Sequence, residues 1–248
     1  MSERELSFRR DRRALVAALA AASLVCWIWT ARVAAQMAGE HGHPHAHRAA
    51  GLLALFAMWA VMMAGMMIPP EVPAVLEVAR ARRERLGRSP FPAAAAFLAG
   101  YLLPWTAFSL AAAWLQQRLH ALDLLGPDMA ASSRVLSAAV LLAAGAIQLS
   151  PLKRACLARC RAPTSPGGER TLSSFAGGLR ASAVSIASCG SLMLVLFVTG
   201  VMSLPWMGLM TLLLVLERVV PRSFRISAAA GAVLLLWGAW TAAGSRAP

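Results

Sequence analysis

Long apolar runs separated by short polar clusters make up most of this chain. A helix needs about 20 apolar residues to cross a hydrocarbon core of about 30 Å. Seven stretches approach that length: residues 14–35, 49–69, 91–115, 134–152, 181–202, 205–219 and 226–243, of which the sixth is short. Read as one helix, residues 185–216 would extend roughly 48 Å, so Gly200, Ser203 and Pro205 are expected to turn the chain into a tight hairpin there. The segment PEVPAVLEVARARRERLGR sets Val75, Leu76 and Val78 against Arg80, Arg82, Arg83 and Arg85. It predicts a short amphipathic helix on the inner membrane surface. The Pro-, Gly- and Ser-rich stretch RAPTSPGGERTLSS predicts a flexible loop. No internal repeat interrupts this plan, so the expected fold is all-α: a polytopic transmembrane helix bundle of about seven spans, one membrane domain over residues 1–248.

Composition supports a bilayer over water. Hydrophobic residues are 58% of the chain and charged residues only 14%, against about 25% charged in an ordinary soluble domain. A net charge of +13 would suggest nucleic acid in a soluble protein. Here the basic residues lie in clusters between apolar runs, the pattern that orients spans. The partner they imply is the lipid bilayer, and no nucleic acid. With the N-terminus inside, the inner segments (Arg4 to Arg13, Arg80 to Arg88, Lys153 to Arg180, Arg218 to Arg225) hold 19 Lys and Arg, and the outer side holds 5. Merging the 181–202 and 205–219 segments would put RVVPRSFR outside, against that bias. RRDRR followed by an apolar run also resembles a signal peptide, but the run of about 18 residues exceeds the 7–15 typical of one. One lysine against 23 arginines reads as coding bias, and four cysteines without a paired framework do not form a disulfide scaffold.

In this topology all five histidines lie outside. EHGHPHAHR alternates His41, His43, His45 and His47 with small residues, and an extended chain would present them on one side. Imidazole suits copper, zinc and nickel; a polar loop rich in histidine is the plain reading. Inside the membrane, Met58, Met62 and Met66 recur at i, i+4 and i+8 in MWAVMMAGMMIPP, lining one helix face with thioethers. Packing by flexible methionine explains such a stripe equally. Cys189, Met193, Met207 and Met210 add soft donors from the hairpin, and soft ligands select Cu(I). Glu217 is an acid at membrane depth and a functional candidate on that ground, with pairing to Arg218 as its plain alternative. Gln148 and Ser150 read as a polar helix end. Cys156 and Cys160, at i and i+4 in KRACLARCR, could hold a metal or simply stay reduced.

Four stretches, MWAVMMAGMMIPP, GYLLPW, AGAIQLSPLKRACLARCR and LFVTGVMSLPWMGLMTLLLVLERVVP, together resemble a bacterial membrane family catalogued as a domain of unknown function (DUF2182). Its members are described as predicted metal-binding integral membrane proteins and sometimes named copper chaperones. The resemblance covers roughly residues 55–240, and QLSPLKRACLARCR is its most specific part. It implies a multi-pass protein of the bacterial inner membrane that handles a metal. There is one departure. Before Leu192 and Met193 the family carries a cysteine-rich run ending in two cysteines and a tryptophan, whereas this chain reads SIASCGS, with only Cys189 matching beside Ser185, Ser188 and Gly190. The site here is weakened or altered if those cysteines are the ligands.

No nucleophile with a base, phosphate-binding glycine loop or ATPase motif is present, so neither catalytic nor cofactor-binding residues are assigned and no enzyme is expected. The leading reading is carriage or chaperoning of a soft transition metal, a copper ion first, with zinc or nickel at the histidine loop, and with a periplasmic or membrane metalloprotein as partner. A non-catalytic structural subunit of a membrane complex and a nickel or cobalt exporter are the alternatives. Reporter fusions at residues 45, 125 and 248 are expected to report periplasm and a fusion at 165 cytoplasm; a periplasmic signal at 165 would refute the topology.

Overall fold

The computed structural model describes residues 3–39, 51–126, 130–161, 171–220 and 223–244. His41, His43, His45 and His47 lie outside these residues. The described residues form eight helices and no strand: α1 (Glu3–Gly39), α2 (Leu52–Leu86), α3 (Phe91–Ala121), α4 (Arg134–Leu149), α5 (Pro151–Arg161), α6 (Thr171–Thr199), α7 (Leu204–Val219) and α8 (Ser223–Ala242). Five of them, α1, α2, α3, α6 and α8, are long and apolar enough to cross a membrane. Helices α4 and α5 together make a sixth such unit, bent by 60° at Ser150. Helix α7 has 16 residues, about 24 Å of rise, short of a bilayer core. It is separated from α6 by the expected turn, where Gly200 takes φ 91°, a conformation that costs a side-chain-bearing residue dearly.

Two sequence expectations change. The segment after Ile68 is no separate surface helix, because α2 runs on through Pro69, Pro70 and Pro73 to Leu86. Its later half is held inside the protein: Val75 and Ala79 are buried in a cluster with Leu15 and Leu19 of α1 and Ala94 and Phe97 of α3. Prolines are tolerated in membrane helices where neighbours hold both halves. The loop expected before 181 is likewise shorter, since α6 already begins at Thr171.

The α4/α5 break has a local cause. Ser150 Oγ donates to Ile147 O at 2.7 Å, ending α4, and accepts from Lys153 N at 3.2 Å, capping α5. Pro151 then occupies the first helical position, where its missing N–H has no role. Gln148 and Ser150 do stand at the polar end of α4, and the serine is a two-sided cap beyond which the chain is re-aimed into α5.

Two seams hold the bundle at backbone distance. A Cβ on Gly178 of α6 would run into Phe97 O of α3, and one on Gly100 of α3 into Phe175 O of α6. At the α4/α8 seam a Cβ on Gly145 would sit 2.9 Å from Gly231 O, and one on Gly231 3.0 Å from Gly145 O. Small residues allow this approach, and dispersion over the full helix length then supplies the association that hydrophobicity cannot supply within lipid. The main core lies between the seams, around Trp59, Tyr101 and Trp105 of α2 and α3, with Leu192, Met193 and Leu196 of α6. Trp59 Nε1 donates to Gln116 Oε1 at 2.6 Å, whereas the indole N–H of Trp105 has no hydrogen-bond partner among the described residues.

Gly178→Val is expected to lower stability in detergent by about 3 kcal/mol or more, because backbone is displaced rather than a flexible side chain. Gly208 of α7 has open space around it, and Gly208→Ala should leave the melting temperature unchanged or slightly raised. Equal melting temperatures for wild type and Gly178→Val would refute the seam.

Candidate functional site

The capped start of α5 carries the site's organising residue. Lys153 is the chain's sole lysine and is wholly buried, 0% exposed. It lies in the first turn of α5, where the helix dipole disfavours a cation, so its charge must be met from elsewhere. Glu217 of α7 meets it: Lys153 Nζ lies 2.7 Å from Glu217 Oε2 and also donates to Ser188 O of α6 at 3.0 Å. The other carboxylate oxygen, Oε1, accepts from Ser227 Oγ of α8 at 2.6 Å and from Gln148 Nε2 of α4 at 3.4 Å. One acid thus gathers donors from three helices besides its own.

The neighbouring residue reaches the other way. Arg218 lies 2.8 Å from the carboxylate of Glu71, itself 1% exposed, on α2. Glu217 is therefore not matched to the adjacent Arg218. Consecutive residues of α7 instead close two ion pairs with two different helices, leaving four charges, three of them buried, that sum to zero. Beside them Tyr101 Oη lies 3.0 Å from Ser185 Oγ, and the Cys189 thiol donates to Ser185 O at 2.9 Å. These groups surround a small cavity lined by Met67, Pro70, Leu157, Ser185, Ser188, Cys189, Leu214, Glu217 and Arg218.

The sequence candidates fall into three sets. Cys189 and Glu217 border the cavity. Met58, Met62, Met66, Met193, Met207 and Met210 are all buried in one core cluster with Cys189, away from the cavity wall; the methionine that does line it is Met67. Cys156 is buried on α5, one residue before the lining Leu157. Cys160 lies on the same helix, with its side chain outside the description. Among the described residues no three His, Cys, Asp or Glu side chains converge as a metal-ligand group. The soft donors at the cavity are one thiol and one thioether, joined by one carboxylate.

A family model, PpoB2, described as a copper chaperone, matches residues 56–241. The chain belongs to the PpoB2 copper chaperone family. No curated protein and no solved structure matches it. In this PpoB2 chain the matched stretch contains every cavity-lining residue and both buried ion pairs, while α1 and residues 40–48 precede it. Ser185, Ser188 and Cys189, the positions that stand where the resemblance expects a cysteine-rich run, all line the cavity. Of the positions at which the resemblance expects that run, Gly190 alone does not line the cavity.

Sequence reasoning missed Lys153, Gln148, Ser227 and the Glu71 to Arg218 pair. The first had a signal. A chain with arginine at 23 of its 24 Lys and Arg positions keeps its one compact ammonium group two residues after a Ser-Pro helix break, which is no product of coding bias alone. The pairing of Glu71 with Arg218 is set by tertiary contact across 147 positions, and nothing local announces it.

Removing one partner of a buried ion pair strands the other charge, whereas replacing both with apolar groups does not. Lys153→Met is accordingly expected to cost about 3–5 kcal/mol, and Lys153→Met with Glu217→Leu to recover most of that loss. Thermal unfolding in detergent checks it; additive losses in the double variant would show that the two residues do not act as a pair.

Proposed function

We propose that the chain is a non-catalytic carrier or chaperone of Cu(I), embedded as a multi-pass bundle in the bacterial inner membrane. The observation that carries this reading is the cavity where the Met67 thioether, the Cys189 thiol and the Glu217 carboxylate face one space. Thiolate and thioether ligands select Cu(I) over harder cations. The protonated thiol and the thioether are nearly apolar when no metal is bound, so these two donors cost little to bury, whereas the carboxylate is compensated by Lys153. The buried methionines around it, Met62, Met66 and Met193 among them, extend the supply of soft donors beyond the cavity wall. Serine at 185 and 188 keeps the thiol count low, which suits a protein that must give its cargo up. The histidine run at 41–47 would collect metal at the periplasmic face, and a periplasmic or membrane metalloprotein would receive it.

One observation favours a structural subunit instead: no trio of His, Cys, Asp or Glu converges among the described residues. Anaerobic Cu(I) retention separates the two readings. The proteins to compare are detergent-purified wild type, Cys189→Ser, Met67→Leu, and the double variant Met62→Leu, Met66→Leu, each with residues 40–48 replaced by a Gly/Ser linker. Wild type should retain about one Cu(I) per chain, Cys189→Ser should bind at least about tenfold more weakly, and the methionine variants should fall between, since even loss of an outer-shell partner of a metal ligand costs about 10–100-fold. Equal retention by all, or none by any, would make these residues packing and leave the structural subunit.

A further inference from the structure

A buried ion pair is a poor device for stability, because desolvation offsets most of its Coulomb energy and apolar residues of the same volume do as well. Lys153 and Glu217 form such a pair, at 2.7 Å with side chains 0% and 3% exposed, and Glu217 lines the cavity that also holds Cys189 and Met67. The two carboxylate oxygens are held differently. Oε1 is anchored by Ser227 and Gln148, while Oε2 faces the Lys153 ammonium. The carboxylate is thus fixed in place independently of the lysine. The lysine, in turn, has a second acceptor in Ser188 O at 3.0 Å, and its four-carbon stem lets the ammonium shift without moving the helix.

Resting on the copper reading of the same cavity, we propose that Lys153 is the resident cation of an exchange site: its ammonium holds Glu217 Oε2 while no metal is bound, and yields that oxygen to a soft monovalent metal ion held by Cys189 and Met67. The charges balance. As the metal enters, the Cys189 S–H bond breaks, a sulfur–metal bond forms, and the proton leaves to solvent, so one positive charge replaces another. Lys153 stays protonated and retains the Ser188 carbonyl, and the pair of Glu71 with Arg218 is unchanged. No net charge is added to the membrane interior, where an uncompensated one is costly. The returning ammonium then competes for Glu217 Oε2 and favours release, which a carrier needs and a storage site does not.

Because the chain has one lysine, labelling with ¹⁵Nζ-lysine gives a single side-chain resonance in the full-length wild-type protein, with no variant required. Titration with Ag(I), a redox-inert monovalent probe, should shift that resonance in wild type and leave it in place in Cys189→Ser. In a parallel competition assay against a chromophoric chelator, Lys153→Leu should bind Cu(I) more tightly than wild type by roughly 5- to 150-fold, the usual range for coupled sites. Adding Glu217→Gln to it should remove the gain. Cu(I) binding that depends on Cys189, with an unmoved lysine resonance, would overturn the exchange and leave the copper reading standing. No binding of either metal by wild type would overturn both.

Discussion

A charge placed inside a bilayer must find its counter-charge within the protein, and the contact between Lys153 and Glu217 is where this constraint shapes the bundle. Through Glu217 and Lys153 the hydrogen bonds reach Gln148 on α4, Ser188 on α6 and Ser227 on α8, and the next residue of α7 reaches Glu71 on α2. Five helices are therefore in register with one short stretch of α7. The helix itself is too short to be fixed by spanning length, and its polar C-terminal end is what locates it. Each link adds directionality, which non-directional apolar packing lacks.

The glycine seams supply what that network does not. Helices α3 and α6 meet through Gly100 and Gly178, and α4 and α8 through Gly145 and Gly231, at distances set by backbone atoms. Lipid offers no hydrophobic gain for bringing two apolar helices together, so close approach and dispersion must do it. The polar network then chooses the rotation of each helix, and the thioethers fill the irregular space that remains, a role suited to unbranched, polarizable side chains.

The apolar segments were readable because a bilayer imposes a length and a polarity on every span. Seven apolar runs became helices, but only five of these are long and apolar enough to cross a membrane, with α4 and α5 together a sixth unit. Gly200 turns the chain where the sequence placed a break. Helix ends were harder to read. Prolines at 69, 70 and 73 signal termination in a soluble chain, yet α2 continues through them, since Val75 and Ala79 are covered by α1 and α3. At the site, the thiol at 189 and the acid at 217 stood out by residue type alone. Lys153 did not, because a cation next to an arginine looks like a cytoplasmic anchor until the 60° bend at Ser150 turns it inward. Met67 escaped for a different reason. Adjacent methionines at 62, 63, 66 and 67 cover two helical stripes, and only the packing of α5 and α7 decides which stripe meets the cavity.

The seams also divide the molecule mechanically. Where glycine Cα and carbonyl oxygen touch, as between α3 and α6, neither helix can slide without a backbone collision, and that half behaves as a chassis. Helix α7 meets its neighbours through side chains instead: buried Met207, Met210, Leu214 and Glu217, with Trp206 stacked on Trp237 of α8. The cavity thus has two unlike walls: α6, carrying Cys189, is locked to α3 at backbone distance, whereas α5 and α7 close the other side through side chains alone.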